Sequence, residues 1–209
     1  MRIGTKRDPV EFGRAWLHEN HGPRTANMAV LTCQFLGLTG TQRITAVWLG
    51  AMLHDIGKLF VDPAVTYKLG HLTSPERHKM EQHTVLGEAY LKAVGPNPDL
   101  GSESQKLLLS IVRHHHERWD GTGYPDGLSG KSIPIWARAM APVDVYDALT
   151  RSRLYRRPYK FTRRQALSTI AAGVGTQFDP DAHVAFLHAL RLLSGARGAL
   201  DLRNTTIKQ

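Results

Sequence analysis

"WLGAMLHDIGKLF" (residues 48–60) sets how the chain is to be read. Its first half is apolar and uncharged, as in a core-facing helix, and then His54, Asp55 and Lys58 arrive inside the same apolar frame. Successive helical residues lie about 100° apart, so His54 and Asp55 can flank one interior point, and Lys58, three and four residues on, returns to that face. A charged carboxylate in such surroundings costs several kcal/mol unless it is paired or bound to a metal. The plainer alternative is a core imidazole with Asp55 and Lys58 as a surface pair. The desolvation cost favours metal.

Around this stretch, apolar residues recur at three- and four-residue spacing over residues 26–38, 44–53, 80–94, 106–112, 135–149 and 183–193, which predicts an all-α, single-domain helical bundle. Helix starts are marked by Thr73-Ser74-Pro75-Glu76, by Thr162 with Gln165 three residues on, and by Asp179 before Pro180. Gly95-Pro96 and Gly173 read as helix ends. Residues 60–72 and 119–133 are turn-rich, and loops of that length in a compact helical domain tend to carry function.

A chain of 209 residues suits one domain with a sizeable core. Its 42% hydrophobic and 22% charged content excludes an extensively disordered chain. No apolar run is long enough to cross a bilayer, and residues 1–13 lack a signal-peptide core. The lone Cys33 excludes an internal disulfide and reads as packing. These features predict a cytoplasmic protein without a membrane partner. The net charge of +9 is concentrated at the end, with eleven Lys or Arg against three acids from Arg151 onward. That calls for an anionic partner. Without a nucleic-acid motif, a small phosphate-bearing substrate is the better reading than nucleic acid.

Histidines and acids at or near predicted helices complete the picture: His21, His54-Asp55, His83, the run His114-His115-His116, and Asp144. Neutral imidazoles and carboxylates hold Mn, Fe or Zn, and a bundle can converge several of them on one point.

In order and spacing, His21-Gly-Pro-Arg24, "HDIGK" (54–58), "HTVLG" (83–87), "HHERWDGTGYP" (115–125), "VDVYDALT" (143–150) and "FDP" (178–180) resemble the HD superfamily of metal-dependent phosphohydrolases. Within it they resemble the HD-GYP subgroup of cyclic di-GMP phosphodiesterases. The resemblance runs from His21 to Leu187 and implies an HD-type domain over residues 18–195, with a leader or first helix at 1–17 and a tail at 196–209. With so little chain before His21, no appended sensor or receiver domain is expected.

The resemblance also implies a bimetal site. Asp55 would bridge two divalent transition-metal ions, Fe or Mn first, with Zn, Ni or Co as alternatives. One ion would take His21, His54 and Asp144, and the other His83, His115 and His116. His114 would be an extra. A third metal in some relatives uses a Glu four residues before the first histidine. Leu17 stands there, so two metals are expected, with His18 a rival for His21 and Glu19 on another helical face.

Lys58 would sit beside the metals or touch substrate phosphate, and Arg153 and Arg156 would clamp phosphate and guanine. Arg157, Lys160, Arg163 and Arg164 would be solvated charge. The implied reaction is hydrolysis of cyclic di-GMP to linear pGpG, continuing in some cases to GMP, by attack of a metal-bridging hydroxide.

Tyr124 would contact substrate, or Gly123-Tyr124-Pro125 would only shape the loop, with Gly123 at a positive φ that a β-branched residue resists. The same loop could offer a homodimer or protein-partner surface. The alternatives are an HD phosphohydrolase for another cyclic dinucleotide, a nucleotide or an alarmone; an HD-fold diiron oxygenase; and a non-catalytic binding module.

Overall fold

The computed structural model describes residues 21–150 and 161–204, with side chains through residue 195. The expected leader at 1–17, Leu17, His18 and Glu19 fall outside the described residues, as do Arg153, Arg156, Arg157 and Lys160. The helices, in chain order, are α1 (His21–Phe35), α2 (Thr41–Leu53), the single turn α3 (Pro63–Thr66), α4 (Ser74–Glu81) and α5 (His83–Val94). They continue with α6 (Ser102–His114), α7 (Ile135–Thr150), α8 (Arg163–Ala172) and α9 (Pro180–Asn204). Among the described residues there is no strand, and the only β contact is an isolated bridge between Val174 and Phe178. No helix among them is long and apolar enough to cross a membrane.

The capping signals read from the sequence are realised. Ahead of α4, Thr73 Oγ1 accepts from the Glu76 N–H, while Glu76 Oε2 accepts from the Thr73 N–H at 2.8 Å. Ahead of α8, Thr162 and Gln165 form the same reciprocal box. Both satisfy N–H groups that a helix start otherwise leaves orphaned. The loop at 60–72 hides α3, whose N-cap Asp62 accepts from the Ala64 N–H at 2.9 Å, just before Pro63. The last helix runs past residue 195, where the sequence suggests a tail, to Asn204.

α1 packs against α2, α7 and α9, and α2 also packs against α6, giving a bundle around a core that includes Ala26, Ala29, Val47, Ala51, Ile111, Met140, Val143 and Phe186. Cys33 is fully buried in it, as its apolar setting suggests, and burial pushes its thiol up to about 12. Small residues allow the close approaches. A Cβ on Gly50 would meet the Ile111 side chain at 3.0 Å, so glycine there lets α2 and α6 approach without displacing it. The glycine of "HDIGK" matters more. A Cβ on Gly57 would lie 1.8 Å from the His83 carbonyl oxygen and 2.5 Å from the Gly87 nitrogen, so the 3-10 turn Ile56–Phe60 lies directly on the backbone of α5.

Candidate metal centre

The bundle brings seven sequence-predicted ligands to one buried point. His21 opens α1, His54 caps the end of α2, Asp55 begins the 3-10 turn, and His83 opens α5. His115 caps α6 with His116 behind it, and Asp144 comes from the middle of α7. Six of them are buried and His116 is half-buried. Two groups have ligand atoms within 4.8 Å of one another: His21, His54 and Asp55, and Asp55, His83, His115 and His116. Asp144 joins the first, with Oδ1 3.3 Å from His21 Nε2 and 3.6 Å from His54 Nε2.

Hydrogen bonds fix the imidazoles' orientation. A carbonyl oxygen can only accept, so His54 Nδ1 donates to Ala51 O at 2.7 Å, His83 Nδ1 to Met80 O at 2.6 Å, and His115 Nδ1 to Val112 O at 3.0 Å. Each ring so held turns its Nε2 inward, and His83 Nε2 faces His115 Nε2 at 3.4 Å. Asp55 lies between the groups. Its Oδ2 is 3.6 Å from His54 Nε2, and its Oδ1 is 3.3 Å from His83 Nε2 and 3.9 Å from His115 Nε2. Oδ1 is buried without a hydrogen-bond partner. Converging lone pairs and an orphaned carboxylate oxygen fit a cation, which satisfies both where a proton satisfies only one.

The electrostatics agree. Burial disfavours an ionised Asp55, yet Lys58, His54 and His83 outweigh it and hold the carboxyl well below the usual range. Asp144, equally buried, is held down by His21 and His54. Burial, reinforced by His116, His54 and His83, keeps the His115 ring neutral, and His116 falls to about 3 through burial and His83. A neutral imidazole is the form that binds metal. His21 is the exception. Burial opposes its charge, but hydrogen bonds to Asp144 and Asp147 raise it to about 9.

Around this point, Lys58 Nζ donates to Asp55 Oδ2 at 2.5 Å with 19% of its side chain exposed, so it reaches from the carboxylate to solvent. Tyr124 lies against His116, with ring centroids 4.8 Å apart, and burial pushes its phenol up. His114 stands outside both groups. With Arg113 it holds Asp126 at the far side of the loop, at 2.9 Å from His114 Nε2 and 2.7 and 2.8 Å from the guanidinium.

The glycine-rich loop is well tied. The buried Glu117 accepts from the Asp126 and Leu128 N–H groups at 2.8 and 3.0 Å, and the Trp119 and Asp120 N–H groups donate to Gln177 and Thr176 carbonyls. Gly123 differs from expectation in its reason. The positive-φ glycines here are Gly121, Gly127 and Gly130, whereas Gly123 is required because a Cβ would lie 2.4 Å from Arg118 N and 2.6 Å from Glu117 Cα.

The sequence motifs contain Asp147, Arg24 and Glu117 but give none of them a role of its own. Asp147 Oδ2 accepts from His21 Nδ1 at 2.7 Å while Arg24 grips both its oxygens at 2.8 Å. The available signal was the three-residue spacing of Asp144 and Asp147, which puts both on one helix face. Glu117 had no such signal, because its partners are backbone groups.

The model of the HD domain family matches residues 14–182. The chain is 36% identical to a probable cyclic di-GMP phosphodiesterase of Vibrio cholerae over 86% of its length and 44% of that protein's. It is 34% identical to a 3'3'-cGAMP-specific phosphodiesterase of the same organism, over 83% of its length and 35% of that protein's. The chain thus spans less than half the length of these curated relatives. Among solved structures it is similar to an HDG"Y"P protein of Bdellovibrio bacteriovorus, with a TM-score of 0.62 and 20% identity over 83% of this chain and 52% of that one, a likeness of fold. Helical architecture, the converging histidines and aspartates and the family-model match agree: the chain belongs to the HD domain family.

Proposed function

We propose that this chain is a metal-dependent phosphodiesterase that opens cyclic di-GMP to linear pGpG. The observation that carries the reading is Asp55, whose two oxygens face different imidazole groups, Oδ2 toward His54 and Oδ1 toward His83 and His115. His21, His54 and Asp144 would hold one divalent ion, His83, His115 and His116 the other, and Asp55 both. Such a pair, when bound, supplies Lewis acidity and an activated water for displacement at phosphorus. The chain's own residues orient the ester. Lys58 is the partly exposed cation beside Asp55 and meets a phosphate oxygen, and Tyr124, packed on His116, forms the wall against which a base or sugar lies. Arg153 and Arg156 are assigned to the outer phosphate and guanine by sequence alone.

A second reading, 3'3'-cGAMP as substrate, is favoured by the relative named for that activity. Incubation of the purified chain with Mn(II) or Fe(II) and each cyclic dinucleotide in parallel tests both. Linear pGpG from cyclic di-GMP at the higher kcat/KM is expected; preferential cleavage of cGAMP replaces the substrate, and hydrolysis of neither overturns the reading. Size-exclusion of the same preparation tests whether the Gly-Tyr-Pro loop, read as a homodimer or protein-partner surface, pairs two copies of the chain.

A further inference from the structure

Of the ligand imidazoles whose Nδ1 hydrogen bonds orient the ring, three are held by a backbone carbonyl and one is not. His54, His83 and His115 each donate Nδ1–H to the carbonyl three residues earlier. His21 donates to a side chain instead, Asp147 Oδ2 at 2.7 Å, on α7 and 126 positions away. Asp147 is itself buried, and Arg24, one turn along α1 from His21, clamps both its oxygens at 2.8 Å. A carboxylate can only accept here, so the proton sits on Nδ1, and Nε2 is directed at His54 Nε2, 3.2 Å away, and at Asp144 Oδ1, 3.3 Å away.

From this geometry we infer that Asp147, held by Arg24, is a positioning residue that fixes His21 in its Nε2-ligating tautomer and sets the metal affinity of the position formed by His21, His54 and Asp144. The inference rests on the metal-centre reading above. A carboxylate behind an imidazole is a stronger acceptor than a peptide carbonyl, so it holds the ring more firmly and raises its basicity. The two metal positions are therefore unequal. One combines a carboxylate-backed imidazole with the ligand Asp144; the other is built on imidazoles, two of them backed only by peptide carbonyls. Asp144 and Asp147, three residues apart on α7, divide the work, one toward the metal and one toward His21.

The test is metal retention by the full chain. Wild type and Asp147→Ala are loaded with Zn(II), dialysed against graded chelator and assayed for metal per chain. Wild type is expected to hold two equivalents. Asp147→Ala should keep one at wild-type affinity and bind the other ten- to a hundredfold more weakly, at about the size of effect seen for such outer partners. Arg24→Gln, which leaves Asp147 in reach of His21, should show a smaller loss confined to the same equivalent.

Unchanged binding of both equivalents, or equal weakening of both in a variant with wild-type circular dichroism, overturns the inference. Should Asp147→Ala not fold, long-range 1H–15N spectra of the Zn(II)-loaded wild type decide it. A proton on His21 Nδ1 supports the assignment, and ligation through Nδ1 refutes it. A folded wild type that binds no divalent metal would overturn the underlying metal reading instead, before any variant is compared.

Discussion

Single residues here are fixed by contacts that a sequence states only as letters. Gly123 is one: a Cβ there would stand 2.4 Å from Arg118 N and 2.6 Å from Glu117 Cα, so any side chain must push the loop outward. Gly123→Ala is expected to cost about 1–3 kcal/mol, the usual range for overpacking, and to loosen the Tyr124 ring from His116; thermal melting and metal content check both. Tyr124→Ala, by contrast, should lower turnover with both metals retained. The Asp126 carboxyl, held down to about 2 chiefly by its hydrogen bond to Arg113, against burial and with a lesser contribution from His114, gives a pH dependence. Its folded pKa lies below the ordinary value of 3.8, so its contribution is complete above that pH and is lost as pH falls through about 2. Both partners are partly exposed, so the contribution is small. In Asp126→Asn, the acid-induced change in Trp119 fluorescence between about pH 4 and 2 should shrink relative to wild type.

Elements carry the candidate ligand histidines by their ends. α1, α2, α5 and α6 each present a histidine at a terminus, where a side chain can turn inward without crossing the packed flank of its own helix. The geometry then depends on how one element lies on the next, and Gly57 controls that for α5. Gly57→Ala puts a methyl 1.8 Å from the His83 carbonyl, so α5 must move or the 3-10 turn must break. The expected result is on the order of 3 kcal/mol of destabilisation with loss of the metal equivalent that His83 serves, seen by calorimetry and elemental analysis. α4 supplies a contrast. Thr73→Ala removes one half of its capping box and should cost about 1 kcal/mol while metal content stays at wild-type level, because no proposed ligand lies on α4. These capping boxes were legible in the sequence because their partners are three residues apart, whereas the turn α3 was not, its Asp62 signal being buried in a stretch without apolar periodicity.

For the whole molecule, convergence of five imidazoles and two carboxylates means that bound metal and folding are linked. Chelation should lower the melting temperature, by about 2–4 °C for each kcal/mol of binding free energy removed, and re-addition of Mn(II) or Zn(II) should restore it. An unchanged melting curve would mean that the cluster is stable without a cation. By itself the amino-acid sequence determined the all-α class, the helix starts and the identity of the seven side chains that the fold brings together, because apolar spacing, capping and chemically distinctive side chains are local properties of the string. The tertiary structure alone decided what those residues do for one another. It set the two oxygens of Asp55 against different imidazoles, brought Asp147 behind His21 across 126 positions, gave His114 its partner Asp126 in the loop, and made Gly57 and Gly123 obligatory by contact rather than by dihedral angle. The physical reason is that hydrogen-bond partnership and close approach depend on distances between helices, and those are set by the packing of the whole core, which no local pattern encodes.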